Sequence, residues 1–201
     1  MDSAEVLFSQ TRQEILSLIL LNPAKLFHQR EISRLTNKGN GAVQRELGKL
    51  KKAGYIRSKR KANKLYFQAN QDHIAYTALR DYICRTVGPV GLIHKALKPF
   101  SPSIRIALIY GSIAAYNAQE SSDVDLLIVG DVTYLELAKR LRKVQSQMNR
   151  EINTSIFDPK DFASRYDNNG GFIADIISGH KMYVIGDEIE LKAVVQQRLV
   201  A

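Results

Sequence analysis

Apolar positions near the N-terminus recur at helical spacing. Val6, Ile15, Leu16, Ile19 and Leu20 mark one long helical pattern, which Asn22-Pro23 ends. Leu26 to His28 is too short for a helix and reads as a brief strand or a tight connection. QREISRLT follows, with Ile32 and Leu35 three apart, then the turn composition Asn37-Lys38-Gly39-Asn40-Gly41. From Gly41 to Ala53 the helical period returns. Val43, Leu47 and Leu50 fall in a narrow arc of the wheel, and Arg45, Lys49 and Lys52 lie on the far side, so one face is core and the other cationic. After Gly54 the period changes to two: YIRSK and KLYFQA are short strands, joined through the polar tip Arg60-Lys61-Ala62-Asn63 as a hairpin.

Residues 71–100 predict a helix broken at Gly88-Pro89 and resumed through Leu97, with Pro99 and Ser101-Pro102 marking a boundary. Beyond it, Ile104 to Tyr110 is a continuous apolar run typical of a buried strand, and Val124 to Val129 is a second. A helix is expected from Tyr134 to Asn149 and a strand in REINTSIF. Asp158-Pro159 opens a further helix with a capping acid and proline in its first turn. FIADIISG continues as helix, KMYVIGD as a last strand and EIELKAVVQQRL as a terminal helix. The fold class is therefore α/β (α+β) in two domains, with boundaries expected at 1–70, a helical connector over 71–100, and 101–201.

Composition narrows the setting. At 201 residues each half is long enough to bury a core of its own. No stretch approaches the roughly 20 apolar residues of a membrane span, and an acid stands at position 2 where a secretory signal would carry bases. A cytoplasmic, membrane-free protein is expected. The single cysteine, Cys84, lies in an apolar-patterned segment and is expected to pack rather than react. Charge changes the picture more. The net +9 is localised: between Arg30 and Lys64 there are twelve bases against two acids, Glu31 and Glu46, and the rest of the chain is nearly neutral. Basic charge confined to one segment is the electrostatic footprint of a nucleic-acid contact.

The layout helix, helix, turn, helix, basic hairpin, with the wording REISRLT, GAVQRELGKLKKAGYI and NKLYFQAN, resembles the winged helix-turn-helix domains of small transcription regulators over residues 1–70. That resemblance implies DNA binding, with the Gly41 to Ala53 helix in the major groove and the hairpin on the adjacent backbone. Gln44 and Arg45 have side chains suited to bidentate base contacts. Lys49, Lys52, Lys59, Arg60 and Lys61 are suited to phosphates, which position a protein without specifying sequence. Such proteins commonly pair two-fold on palindromic sites, which makes a homodimer an expectation.

In the second half, Gly111 follows the first apolar strand and permits both a sharp turn and a close ligand approach, and Ser112 is placed to cap a helix starting at Ile113. Ten residues on comes Ser122-Asp123-Val124-Asp125. Side chains alternate along a strand, so Asp123 and Asp125 project together, and two carboxylates on one face suit a divalent cation shared with substrate phosphates. The combination Gly-Ser, a spacer, then Ser-Asp-x-Asp and an apolar strand resembles the minimal nucleotidyltransferases of the DNA polymerase beta superfamily. The resemblance implies a small mixed sheet with helices on one side. It further implies Gly111 and Ser112 at the triphosphate of an NTP, Mg²⁺ (or Mn²⁺) at Asp123 and Asp125, and nucleotidyl transfer to a hydroxyl acceptor. Members of that group usually add a third carboxylate from a neighbouring strand. The matching place here is Asn153, which cannot act as a base at neutral pH, and Glu151 lies two residues away on the same expected face. Three functions are consistent with these features. One is a metal-dependent nucleotidyltransferase tethered to a DNA-binding module. The second is a nucleotide-sensing transcriptional regulator that is catalytically weak or inactive. The third is the nucleotidyltransferase half of a toxin-antitoxin pair.

Overall fold

The computed structural model describes residues 3–118, 122–168 and 171–196. It divides into two compact units, Met1–Gly88 and Pro89–Ala201.

The first unit begins with α1 (Ser3–Leu7) and α2 (Gln10–Leu20), two helices where the apolar spacing predicted one. The break has a local cause: the Ser9 side chain accepts a hydrogen bond from the Arg12 backbone N–H and so caps a new helix. Val6, counted in the long pattern, is 68% exposed. β1 (Phe27–His28), α3 (Gln29–Leu35) and α4 (Asn40–Lys52) follow, then the hairpin of β2 (Ile56–Lys61) and β3 (Lys64–Ala69). The three strands form an antiparallel sheet in the order β1-β3-β2. α4 ends at Gly54, whose φ of +82° suits glycine alone without strain, and the Tyr55 N–H returns to the Leu50 carbonyl to satisfy the helix end. The hairpin closes through two residues, Ala62 (φ 44°) and Asn63 (φ 62°), the left-handed pair that matches strand twist in tight hairpins. One core, with Ile15, Leu16, Ile19, Phe27, Ile32, Val43, Leu47 and Phe67 buried together, holds α2, α3, α4 and the sheet. Leu35, the other half of the α3 apolar pair, is exposed.

The segment 71–100 is shared between the units. α5 (Tyr76–Thr86) packs on α2 and adds Tyr76 and Ile83 to the first core, whereas α6 (Pro89–Leu97) belongs to the second unit. Cys84 is buried on α5.

The second unit is built on a four-stranded mixed sheet in the order β6-β5-β4-β7. A short 3₁₀ turn (Lys98–Ser103) leads into β4 (Ile104–Tyr110), and the one-turn α7 (Gly111–Ala114) follows directly. β5 (Val124–Gly130) runs antiparallel to β4 and parallel to β6 (Ile152–Phe157). The parallel pair requires a crossover, which α8 (Tyr134–Met148) supplies. α8 opens on a reciprocal capping box between Thr133 and Glu136 and closes on Asn149 in the left-handed conformation. α9 (Pro159–Asn168), α10 (Phe172–Ser178), β7 (Met182–Ile185) and α11 (Glu188–Gln196) complete the unit. Asp158 caps α9, its Oδ1 accepting from the Lys160 and Asp161 backbone N–H groups. Part of the expected terminal helix, 197–199, lies outside the described residues.

Helices cover both faces of this sheet, not one. Ile106, Leu108, Leu127 and Val129 bury against Phe162, Ile173, Ile176, Leu191 and Val194 of α9, α10 and α11. The alternate residues Ala107, Ile109, Leu126 and Ile128 are equally buried, on the face toward which α6 and α8 pack. A strand covered on both faces reads as an unbroken apolar run, which is why β4 and β5 stand out in the sequence. No described helix is long and apolar enough to cross a membrane.

Candidate functional site

Acids enter β5 only at its beginning, where the sheet emerges from its helical cover. Val124 is fully buried and Asp125 half-buried. Register places Asp125 opposite Tyr110 of β4 on one side and Asn153 of β6 on the other, so the three side chains form a row on one face. Asp123, one residue before the strand, turns toward the same point. The Asn153 Nδ2 group donates to Asp123 Oδ2 at 3.3 Å and to Asp125 Oδ1 at 3.5 Å. The carboxylates thus converge, as the alternation of a strand dictates. No ion pair with lysine or arginine engages either of them among the described residues.

The backbone beside them is equally specific. Gly111 follows Tyr110 with φ +72°, and a Cβ placed on it would sit 2.5 Å from Asp125 Oδ2. Glycine is therefore required twice, for the turn and for the approach of the Asp125 carboxylate. α7 starts at Gly111, with Tyr110 as its N-cap and no side chain capping it. This corrects the expected role of Ser112, which lies inside the helical turn instead of capping a helix at Ile113. Residues 119–121, within the spacer to Asp123, lie outside the described residues.

Hydrogen bonds on either side fix where Asp123 leaves the chain. Arg150 Nη1 donates to the Ser122 carbonyl at 2.7 Å, and the Val124 N–H donates to the Glu151 carbonyl at 2.9 Å. Arg150 thus holds the backbone immediately before Asp123. Glu151 lies just before β6, which begins at Ile152, and contributes through its backbone; the expected strand stops short of it. Among the described residues, no group of three or more His, Cys, Asp and Glu gathers as metal ligands would. The donor set at the sheet end is two carboxylates and one amide.

Neither Tyr110 nor Ser155 was expected in the site, although strand alternation already puts Ser155 on the face of Asn153. The Tyr110 ring reaches across β5, its hydroxyl hydrogen-bonded to Ser155, and packs edge-to-face on Phe172 at 5.8 Å. Burial pushes the Tyr110 hydroxyl above its ordinary range; the Ser155 hydrogen bond pulls it back and the Asp125 charge adds to the rise. Tyr110 is accordingly a neutral hydroxyl beside Asp125 near pH 7. Lys181 lies at the end of α10, where it donates to the Ile177 carbonyl and faces Glu188 at 3.7 Å.

In the first unit, Gln44, Arg45, Lys49 and Lys52 are exposed on α4, and Lys59, Arg60 and Lys61 on β2. They are not equivalent. Lys49 is held by Glu46 at 2.9 Å, and Glu46 also accepts from Arg12 Nε at 2.7 Å. Outside that pair, no ion pair engages Arg45, Lys51, Lys52, Lys59, Arg60, Lys61 or Lys64 among the described residues. In the hairpin, Lys59 pairs with Tyr66 and Lys61 with Lys64 on the outward face, whereas Arg60 shares the opposite face with Leu65 and buried Ile56.

Comparison with known proteins bears on the second unit. No curated protein sequence matches the chain. Among solved structures, a toxin-antitoxin with AMP-PNP is 12% identical with a TM-score of 0.40, over 55% of this chain and 83% of that one. The toxin-antitoxin MntA-HpeT, in mutant form, is 9% identical with a TM-score of 0.41, over 55% and 84%. A tri-AMPylated Shewanella oneidensis HEPN toxin in complex with MNT antitoxin is 10% identical with a TM-score of 0.36, over 55% and 80%. These likenesses are too loose to inform function. Residues 93–188 match the family model Polymerase beta, Nucleotidyltransferase, a span that holds β4 to β7 with Gly111, Ser112, Asp123, Asp125 and Asn153. The second unit therefore contains a nucleotidyltransferase-like domain.

Proposed function

We propose that the second unit binds a nucleoside triphosphate at the end of β4 and β5 and transfers its nucleotidyl group to a hydroxyl acceptor, and that the first unit is a winged helix that holds the protein on DNA. The observation that carries the catalytic half is the convergence of Asp123 and Asp125 beside the Gly111 turn. Two carboxylate oxygens and a turn that admits close approach fit a hard divalent cation shared with phosphates, and Asp123 and Asp125 would hold it. When bound, such a cation neutralises charge on the phosphates and on departing pyrophosphate. The chain's own part is positioning. The Gly111 turn lets the Asp125 carboxylate lie against the backbone, the first turn of α7 has no side-chain cap and leaves its N–H groups to a phosphate, and Arg150 fixes the departure point of Asp123. Of the three converging side chains only the carboxylates can take a proton from the acceptor, because the Asn153 amide has no basic site. Most of the acceleration in such a site comes from holding reactants in line and stabilising charge.

A second reading is favoured by Asn153 itself: with an amide in the third position, the domain would bind nucleotide as a ligand that adjusts DNA affinity. Incubation with labelled ATP, GTP, CTP or UTP and Mg²⁺ separates the two. Pyrophosphate release that disappears in Asp123→Ala and Asp125→Ala is the expected result for the transferase. Binding without release supports the sensor, and failure to bind any of the four removes both.

A further inference from the structure

Asn153 does more than stand where an acid is expected. Its Nδ2 group lies between one oxygen of each carboxylate, Asp123 Oδ2 and Asp125 Oδ1, and donates to both. The other Asp125 oxygen, Oδ2, lies against Gly111, on the side of the turn. The oxygens are thus divided: one from each acid faces an amide N–H group, and Asp125 Oδ2 faces the proposed phosphate side. Resting on the nucleotide-binding reading above, we infer that this site takes one divalent cation per bound nucleotide, and that the Asn153 amide holds the two carboxylates together on the side where a second cation would otherwise sit.

Charge and geometry agree. Two dications in phosphoryl-transfer sites stand about 3.5–4 Å apart, and their mutual repulsion has to be offset by several anionic ligands between them. Here the protein supplies two negative charges and a neutral amide, and no third acid joins them among the described residues. Glu151 is exposed, stands outside β6, and meets β5 through its backbone carbonyl. A single Mg²⁺, by contrast, is ordinarily held by one or two carboxylates together with substrate phosphates. The N–H dipoles of Asn153 also point at the carboxylates, a polarity that satisfies these oxygens without a cation and that a second ion would have to displace.

The test counts ions directly. Full-length protein at equimolar α,β-methylene-ATP, or the corresponding analogue of whichever triphosphate binds, is titrated with Mn²⁺ and bound ion is read by electron paramagnetic resonance. The expected break falls at one Mn²⁺ per complex in the wild type and in Glu151→Gln, and at two in Asn153→Asp. A break at two in the wild type overturns the inference, and that measurement decides even where Asn153→Asp does not fold. A folded Asn153→Asp protein that still binds one ion also overturns it, because the amide is then not what excludes the second. Absence of any analogue-induced thermal shift with Mn²⁺ present sinks the nucleotide reading itself, an outcome distinct from a second ion in a complex that forms.

Discussion

Gly111 is the residue at which backbone and chemistry meet. With φ +72° and an added Cβ 2.5 Å from Asp125 Oδ2, Gly111→Ala is expected to cost about 1 kcal/mol or more from the left-handed backbone alone. It is also expected to displace the Asp125 carboxylate and weaken nucleotide binding at least tenfold, measured by calorimetry beside thermal unfolding. Retained affinity would show that the turn is not part of the site. Glu46 makes a comparable case in the first unit. Burial alone would raise its pKa, but hydrogen bonds from Lys49 and Arg12, with their charges, outweigh it and hold the carboxylate below the ordinary value of 4.5. A depressed folded pKa contributes stability that is complete above the unfolded value and is lost as pH falls through the folded one. Glu46→Gln is therefore expected to lose about 1–2 kcal/mol at pH 7, with the gap from wild type closing as urea midpoints are followed below pH 4.5. The acid pair was legible because a period of two is a backbone property. The contact between Tyr110 and Ser155 was not, since it depends on which strands neighbour β5, and Asn153 was identified by position but not by the bonds it makes.

At the scale of elements, α4 and the β2-β3 hairpin were legible within a residue or two, because amphipathic period and turn chemistry agree there. The N-terminal helices were not, because one serine cap interrupts an apolar pattern that continues across it. The β2-β3 hairpin is where the element matters more than its composition. Lys59 and Lys61 share the outward face with Tyr66 and Lys64, and Arg60 faces the other way. If the hairpin lies on a DNA backbone, Lys59→Glu and Lys61→Glu should each weaken DNA binding several-fold more than Arg60→Glu. Each should also lower the slope of log K against log salt by about one, the share of a single neutralised phosphate, and by more where the new charge repels the backbone. Fluorescence anisotropy across a salt series reads both quantities. Equal effects of all three substitutions would mean that the strand alternation does not govern the interaction, and no effect would remove the hairpin from the interface.

Each unit of the molecule has a core of its own, one around Ile15, Phe27, Ile32 and Leu47, the other around Leu108, Leu127, Phe162 and Leu191. The link between them is as short as a peptide bond. Gly88 closes α5 tightly, since a Cβ there would meet Cys84 Cα at 2.9 Å and Leu21 Cδ1 at 3.0 Å, and Pro89 opens α6 at the position where its missing N–H costs least. The apolar patterns predicted two domains but set α5 in a connector, because a helix that buries Tyr76 and Ile83 on a neighbour looks the same in sequence as one that joins two bodies. Packing places the division after Gly88. Chains 1–88 and 89–201 made separately are therefore expected to unfold cooperatively, each with its own calorimetric transition. A nucleotide analogue with Mg²⁺ binds only the folded second unit in the proposed scheme, so by mass action it should raise the midpoint of 89–201 and leave that of 1–88 unchanged. The shift for 89–201 should equal that of the second transition in the full chain, since every residue assigned to the nucleotide lies between Gly111 and Asn153. A fragment 89–201 that folds but shows no shift, while the full chain does, would place an essential part of the nucleotide site in the first unit.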